Sequence, residues 1–223
     1  MARRIEVLSA IERSGILPIF YHADHEVAVG ALRAAASGGA SVFEFTNRGA
    51  GALDVFAALV QTCRKELPGM LLGAGSIVDA PTAALYLDRG AAFIVAPCFN
   101  AEVAKLCNRR KVAYIPGCAT ATEVSHAEEL GCEFVKLFPA KQLGGPAFLN
   151  ALRGPMPWVS AVVTGGIEVK AEELNEWFGA GAVAVGLGSH LFPSRALEAK
   201  DFSQITKRTK EALQIVSQCR TRA

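Results

Sequence analysis

The sequence predicts a single (β/α)8 barrel, a TIM barrel, with one extra helix ahead of the first strand, and three observations carry that prediction. Eight short apolar runs rich in Val, Ile and Phe recur along the 223 residues, their starts 20 to 29 residues apart. That is the length one parallel strand plus its return helix needs. Helix-period segments fill the gaps, and glycines repeatedly stand between a helix and the next apolar run. A doubly wound open sheet is built from the same unit, but eight repeats in one chain favour closure.

Taken in order, the extra helix covers residues 5–13 and is expected to cap the barrel bottom. The strands follow as ILPIFY from Ile16, SVFEFT from Ser41, MLLGAG from Met70 and AFIVAP from Ala92. VAYIPG from Val112, EFVKLF from Glu133, VSAVVTGG from Val159 and AVAVGLGS from Ala182 complete the set. The clearest helices between them span residues 27–36, 53–65, 81–87, 101–108, 122–130 and 172–177. Start signals stand in place: Asp79 before Pro81, Asn100 before Ala101, and Thr120 with Glu123 as a capping box. Stop signals are Gly38-Gly39, Gly90, Gly131 and Gly179-Ala180-Gly181. With no linker or low-complexity stretch, residues 1–223 read as one domain.

Composition narrows the function classes. A hydrophobic fraction of 51% against 20% charged residues supports a large core, and 8% aromatics suits close helix-on-strand packing. The net charge of +2 comes from 23 basic and 21 acidic residues mixed along the chain, so nothing forms a phosphate-backbone stripe and nucleic acid is not an expected partner. The basic stretch from Lys207 to Arg220 is interrupted by Leu213, Ile215 and Val216 and reads as an amphipathic closing helix. No apolar run is long enough to span a bilayer, and the N-terminus lacks a signal-peptide core. Six cysteines without a CxxC pair fit reduced thiols in a cytoplasmic protein.

In a barrel, chemistry sits at the C-terminal ends of the strands, so polar residues inside the apolar runs are the informative ones. Lys136 lies in Phe134-Val135-Lys136-Leu137-Phe138, and period-two alternation puts it on a face with the two phenylalanines. Burying an ammonium is costly, and desolvation favours the neutral amine that attacks carbonyls. Glu44, in Val42-Phe43-Glu44-Phe45-Thr46, is a carboxylate in an equally apolar run and suits acid–base work. The plain alternative for both is a structural Glu44–Lys136 salt bridge. Arg48 in the following loop can grip a carboxylate bidentately, or be a solvated loop arginine.

Thr164-Gly165-Gly166 ends the seventh run and Gly188-Ser189 the eighth, where many barrels hold a phosphate on backbone N–H groups. Gly73-Ala74-Gly75-Ser76 offers donors at the third, with a simple turn as the alternative. His22 and His25, with Asp24, are close in sequence but lack a third ligand at recognised spacing, so no metal site is expected. His126 reads as a helix-surface residue, His190 as a rim residue, and Trp158 and Trp177 as packing.

Six motifs in order, Glu44-Phe45-Thr46-Asn47-Arg48, Gly73-Ala74-Gly75-Ser76, Pro116-Gly117 with Thr120 and Glu123, Lys136-Leu137-Phe138-Pro139-Ala140, Thr164-Gly165-Gly166 and Gly188-Ser189, resemble the 2-keto-3-deoxy-6-phosphogluconate / 4-hydroxy-2-oxoglutarate aldolases. The resemblance runs from about Ile16 to Pro193. It implies a class I, pyruvate-dependent aldolase in which Lys136 forms the Schiff base and Glu44 is the general acid/base. It further implies that Arg48 and Ser76 hold the pyruvate part, that Pro97 and Phe138 wall its pocket, and that Gly165, Gly166 and Ser189 take the phosphate end. A homotrimer without metal or cofactor is implied as well. Two departures stand out. Phe20-Tyr21-His22 occupies a stretch where some relatives carry an arginine near the phosphate, and Cys98 follows Pro97 where glycine is common.

The expected reaction is cleavage of a 2-keto-3-deoxy (6-phospho) sugar acid to pyruvate and an aldehyde, either glyceraldehyde 3-phosphate, or glyoxylate from 4-hydroxy-2-oxoglutarate. The rival readings are a phosphate-binding isomerase or epimerase of small sugar phosphates using Glu44, a non-catalytic keto-acid-binding barrel, and a metal-dependent aldolase. The first of these leaves Lys136 and Arg48 without roles.

Overall fold

The computed structural model describes residues 2–222. In chain order the elements are α1 (Arg4–Ser14), β1 (Ile16–Phe20), α2 (His25–Ser37), β2 (Val42–Thr46), α3 (Ala52–Glu66), β3 (Leu71–Gly75), α4 (Ala80–Arg89), β4 (Phe93–Val95), α5 (Ala101–Arg110), β5 (Ala113–Ile115) and β6 (Gly117–Cys118). Then come α6 (Ala121–Glu129), β7 (Val135–Leu137), α7 (Pro146–Arg153), β8 (Ala161–Thr164), α8 (Ala171–Gly179), β9 (Ala182–Leu187), α9 (Ser194–Glu198) and α10 (Phe202–Arg222). The strands are parallel and run β5-β4-β3-β2-β1-β9-β8-β7-β6 around one sheet.

The eight predicted runs are all strands, and the fifth is broken in two at Pro116. Proline has no N–H to give a ladder and fixes φ, so the strand bends there. Its first half pairs with β4 through Val95 and Ile115, and its second half pairs with β7 through Gly117 and Lys136. The two ends of the sheet are therefore joined covalently through Pro116, which closes the barrel.

Alternation sorts the strand residues into two apolar layers. Phe43, Phe45, Leu72, Ala74, Ile94, Val135, Leu137, Val163 and Val185 face the helices. Leu17, Val42, Phe93, Val95, Ala113, Ile115, Phe134, Val162 and Ala184 face inward, where they meet Val7, Leu8, Ala10 and Ile11 of α1. The extra helix thus plugs the barrel bottom, as its position ahead of β1 predicts. Gly73 lies inside this layer because any Cβ there would overlap the Phe93 ring.

The helix signals act as read. Asp79 accepts from Thr82 N, and Asn100 from the N–H groups of Glu102 and Val103. Thr120 accepts from Glu123 N, while the Glu123 carboxylate accepts from Ala119 N at 2.8 Å and from the Thr120 hydroxyl at 3.0 Å rather than from the Thr120 backbone N–H. Two short helices, α7 and α9, lie outside the expected segments. Trp177 is buried as packing, but Trp158 is 65% exposed and donates to Glu128, so the packing expectation fails for it. The C-terminal helix buries Ile205, Thr209, Ala212, Val216 and Cys219 and leaves its basic residues largely outside. Among the described residues, no helix is long and apolar enough to cross a membrane.

Ile11 is fully buried at the bottom of the barrel, far along the axis from the strand ends that carry polar residues. Ile11→Ala should lower unfolding free energy by about 2–5 kcal/mol. Urea titration reads that loss, and steady-state kinetics on the same variant should stay near wild type.

Candidate active site

All five residues of β2 are buried, and with Phe43 and Phe45 turned to the helices, Glu44 is left inside the barrel. It is fully buried, and neither carboxylate oxygen has a hydrogen-bond partner among the described residues. Space for it comes from β3: a Cβ on Gly75 would overlap Glu44 Oε1. Burial pushes the Glu44 carboxyl above its usual range, against the opposing pull of the Lys136 and Arg48 charges.

Lys136 occupies the middle of β7, 7% exposed, with Val135 and Leu137 facing the helices. Its backbone N–H donates to Pro116 O at 2.7 Å, so the break in the fifth strand also fixes the lysine's height in the barrel. Its Nζ stands 5.0 Å from the centroid of the Phe138 ring. Glu44 and Lys136 feel each other's charge but share no hydrogen bond. That overturns the simple salt-bridge alternative: two buried ionisable groups face one interior and are not tied together.

The remaining candidates ring the mouth. Arg48 is exposed in the loop after β2, yet its charge reaches Glu44. Ser76, directly after β3, has φ +59, a left-handed conformation uncommon outside glycine. The chain is held there by Ile77 N donating to Val95 O at 3.2 Å. Pro97 follows β4 half-buried, and Gly117 lets β6 approach it, since a Cβ there would overlap the Pro97 carbonyl. Phe138 follows β7 and precedes a cis bond to Pro139. Gly165 and Gly166, after β8, have φ +111 and +76, and a Cβ on Gly165 would lie 3.1 Å from Pro139 Cα. Ser189 is exposed after β9, beside the end of β1, where Gly188 approaches Ile19 O.

Two inward hydroxyls, Thr46 and Thr164, lie in the sequence motifs but were given no role of their own there. Thr46 is buried and donates to Phe20 O at 3.3 Å, while Thr164 is buried with its Oγ1 unpartnered. Gly186 across the ladder leaves room for the Thr164 hydroxyl. The alternation Val162, Thr164 on an apolar strand was the signal that marks it. The histidines gather into no site: His22 Nδ1 accepts from Asp24 N, and His126 is exposed beside Phe99. Among the described residues no three His, Cys, Asp or Glu side chains are grouped to hold a metal. A cleft of about 540 Å3 between α10 and the loops after β8 and β9 is lined by His190, Lys207 and Arg208 among others, and by neither Glu44 nor Lys136.

Comparison with known proteins shows the family. The family model described as "KDPG and KHG aldolase" matches residues 7–208. The chain is 38% identical to a 2-dehydro-3-deoxy-phosphogluconate aldolase of Treponema pallidum, over 95% of this chain and 98% of that protein. It is 31% identical to the KHG/KDPG aldolase of Escherichia coli, over 92% and 94%. A crystal structure of KDPG aldolase from Legionella pneumophila, with pyruvate captured as a covalent carbinolamine, superposes with a TM-score of 0.83 at 26% identity, covering 92% of this chain and 96% of that one. On the strength of the matched residues, the barrel and the relatives together, the chain belongs to the KDPG and KHG aldolase family.

Proposed function

We propose that this protein is a class I aldolase that cleaves a 2-keto-3-deoxy sugar acid, with or without a 6-phosphate, to pyruvate and an aldehyde. The observation that carries this reading is a buried lysine and a fully buried carboxylate facing one barrel interior without being bonded to each other. A structural ion pair would be joined. A pair kept apart leaves room for a substrate.

The Lys136 amine attacks the keto carbon through its nitrogen lone pair and forms a carbinolamine, which loses water to give an iminium. The iminium nitrogen accepts the electron pair of the adjacent carbon–carbon bond as that bond breaks. Glu44 takes the proton of the hydroxyl on the departing carbon, which leaves as the aldehyde. The remaining enamine takes that proton back at carbon, and water then releases pyruvate and the free lysine. Arg48 and Ser76 hold the substrate carboxylate, which turns the ketone towards the amine. Pro97 and Phe138 wall the pyruvyl part, and Gly165, Gly166 and Ser189 receive the distal phosphate on a glycine-shaped rim. Lysine itself provides the electron sink, so the scheme uses no cofactor.

Cys63, Cys98, Cys107, Cys118 and Cys132 are free thiols, which fits a reducing compartment and hence the cytoplasm. The homotrimer implied by the family resemblance would give cover to apolar side chains such as Ile5, Val78, Leu85 and Trp158, which are exposed on one subunit.

Sodium borohydride with pyruvate should fix a reduced adduct on the peptide carrying Lys136, read by mass spectrometry, and Lys136→Met should abolish it. An unmodified peptide at saturating pyruvate would contradict the mechanism. The raised Glu44 carboxyl sets the acid limb of turnover: below its pKa the base is protonated, so kcat falls as pH drops, beginning above the ordinary carboxylate range. Glu44→Gln should lower kcat by about 10²-fold or more and remove that limb, while part of the pyruvate adduct still forms. Gly75→Ala pushes on Glu44 Oε1. It should cut kcat on the order of tenfold or more, by misplacing the base, while borohydride labelling of Lys136 persists.

A further inference from the structure

Arg48 is exposed and its side chain makes no hydrogen bond among the described residues, so its aim depends on the loop that holds it. That loop is gripped on both sides. On one side, Asn47 N donates to Gly75 O at 2.8 Å, and Asn47 Oδ1 accepts from the Tyr86 hydroxyl at 3.0 Å. On the other, Gly49 lies against the Tyr21 hydroxyl, where a Cβ would come within 2.8 Å of the oxygen. The two tyrosines are the ends of one aromatic row behind β2. Tyr21 packs on Phe45 at 5.7 Å, Phe45 on Phe56 at 6.4 Å, and Phe56 on Tyr86 edge-on at 5.0 Å between centroids. Tyr86 itself comes from α4, 39 residues along the chain from Asn47, and is 2% exposed. A buried hydroxyl is retained at a cost unless its bond matters, and this one bonds the residue next to Arg48.

We infer that Tyr86 is a positioning residue for Arg48: through Asn47 it fixes the loop that aims the guanidinium at the substrate carboxylate. This role rests on the aldolase reading, in which Arg48 grips that carboxylate. Burial, with Tyr21 close by, pushes the Tyr86 hydroxyl up to about 12, so it remains a donor across the working pH range. The Arg48 charge already acts on Glu44 from the loop's present position, so the clamp holds the guanidinium at the mouth of the site before any substrate arrives.

The test is borohydride trapping on Lys136 as a function of pyruvate concentration, in the wild type, Tyr86→Phe, Arg48→Ala and the double variant. Tyr86→Phe should raise the half-saturating pyruvate concentration on the order of tenfold, with full trapping still reached at saturation. In the Arg48→Ala background the same change should shift it by less than about twofold, because the residue it serves is gone. Asn47→Ala, which removes the acceptor from the surface side, should reproduce the shift and be non-additive with Tyr86→Phe, and it stands in should Tyr86→Phe fail to fold. A half-saturation unmoved by Tyr86→Phe or Asn47→Ala would overturn the inference, as would an equal shift with and without Arg48. No adduct in the wild type would instead overturn the aldolase reading, and this role with it.

Discussion

A carboxylate sits in the middle of an apolar barrel with neither oxygen hydrogen-bonded, and the rest of the site is arranged around that fact. Burying such a group is expensive unless it is paired or neutralised. Pairing Glu44 tightly to Lys136 would relieve the cost, yet would occupy both groups. The fold instead leaves the two at electrostatic range, with Arg48 as a second cation of weaker effect. Burial holds the carboxyl above its ordinary range against the pull of both cations, which makes it a better proton acceptor than an exposed carboxylate.

The barrel separates this costly region from the region that stabilises it. The lower interior is filled by α1 and the inward residues of the strands, all apolar, and the outer layer of strand residues packs on the helices. Polar atoms are confined to the upper part, where Glu44, Thr46, Lys136 and Thr164 are buried. Small residues make that confinement possible. Gly75 leaves room for Glu44, Gly186 for Thr164, and Gly117 for the Pro97 backbone. A side chain at any of the three would meet a functional group or its wall.

The break at Pro116 links closure to chemistry. The residue that splits the fifth strand also offers the carbonyl that takes the Lys136 N–H. The lysine is thereby fixed by a local backbone feature on its neighbouring strand, so its amine is presented from a rigid element rather than a loop.

Much of this was legible in the sequence, and the reason is periodicity. Eight apolar runs at parallel-strand spacing gave the barrel, and period-two alternation put Glu44 and Lys136 on the inner face. Caps at Asp79, Asn100 and Thr120 are local hydrogen bonds that residue type and position suffice to indicate. Other features depend on contacts between segments far apart in the chain. Alternation could not say whether Glu44 and Lys136 touch, because that rests on strand register and on the space Gly75 leaves. Nor could it reveal the hydroxyl of Tyr86 bonded to Asn47, or Trp158 standing out in solvent. What the sequence alone determined, then, was which residues face inward; what only the tertiary structure decided was the distance between them, since facing is set by neighbours along one strand and distance by the closure of the whole barrel.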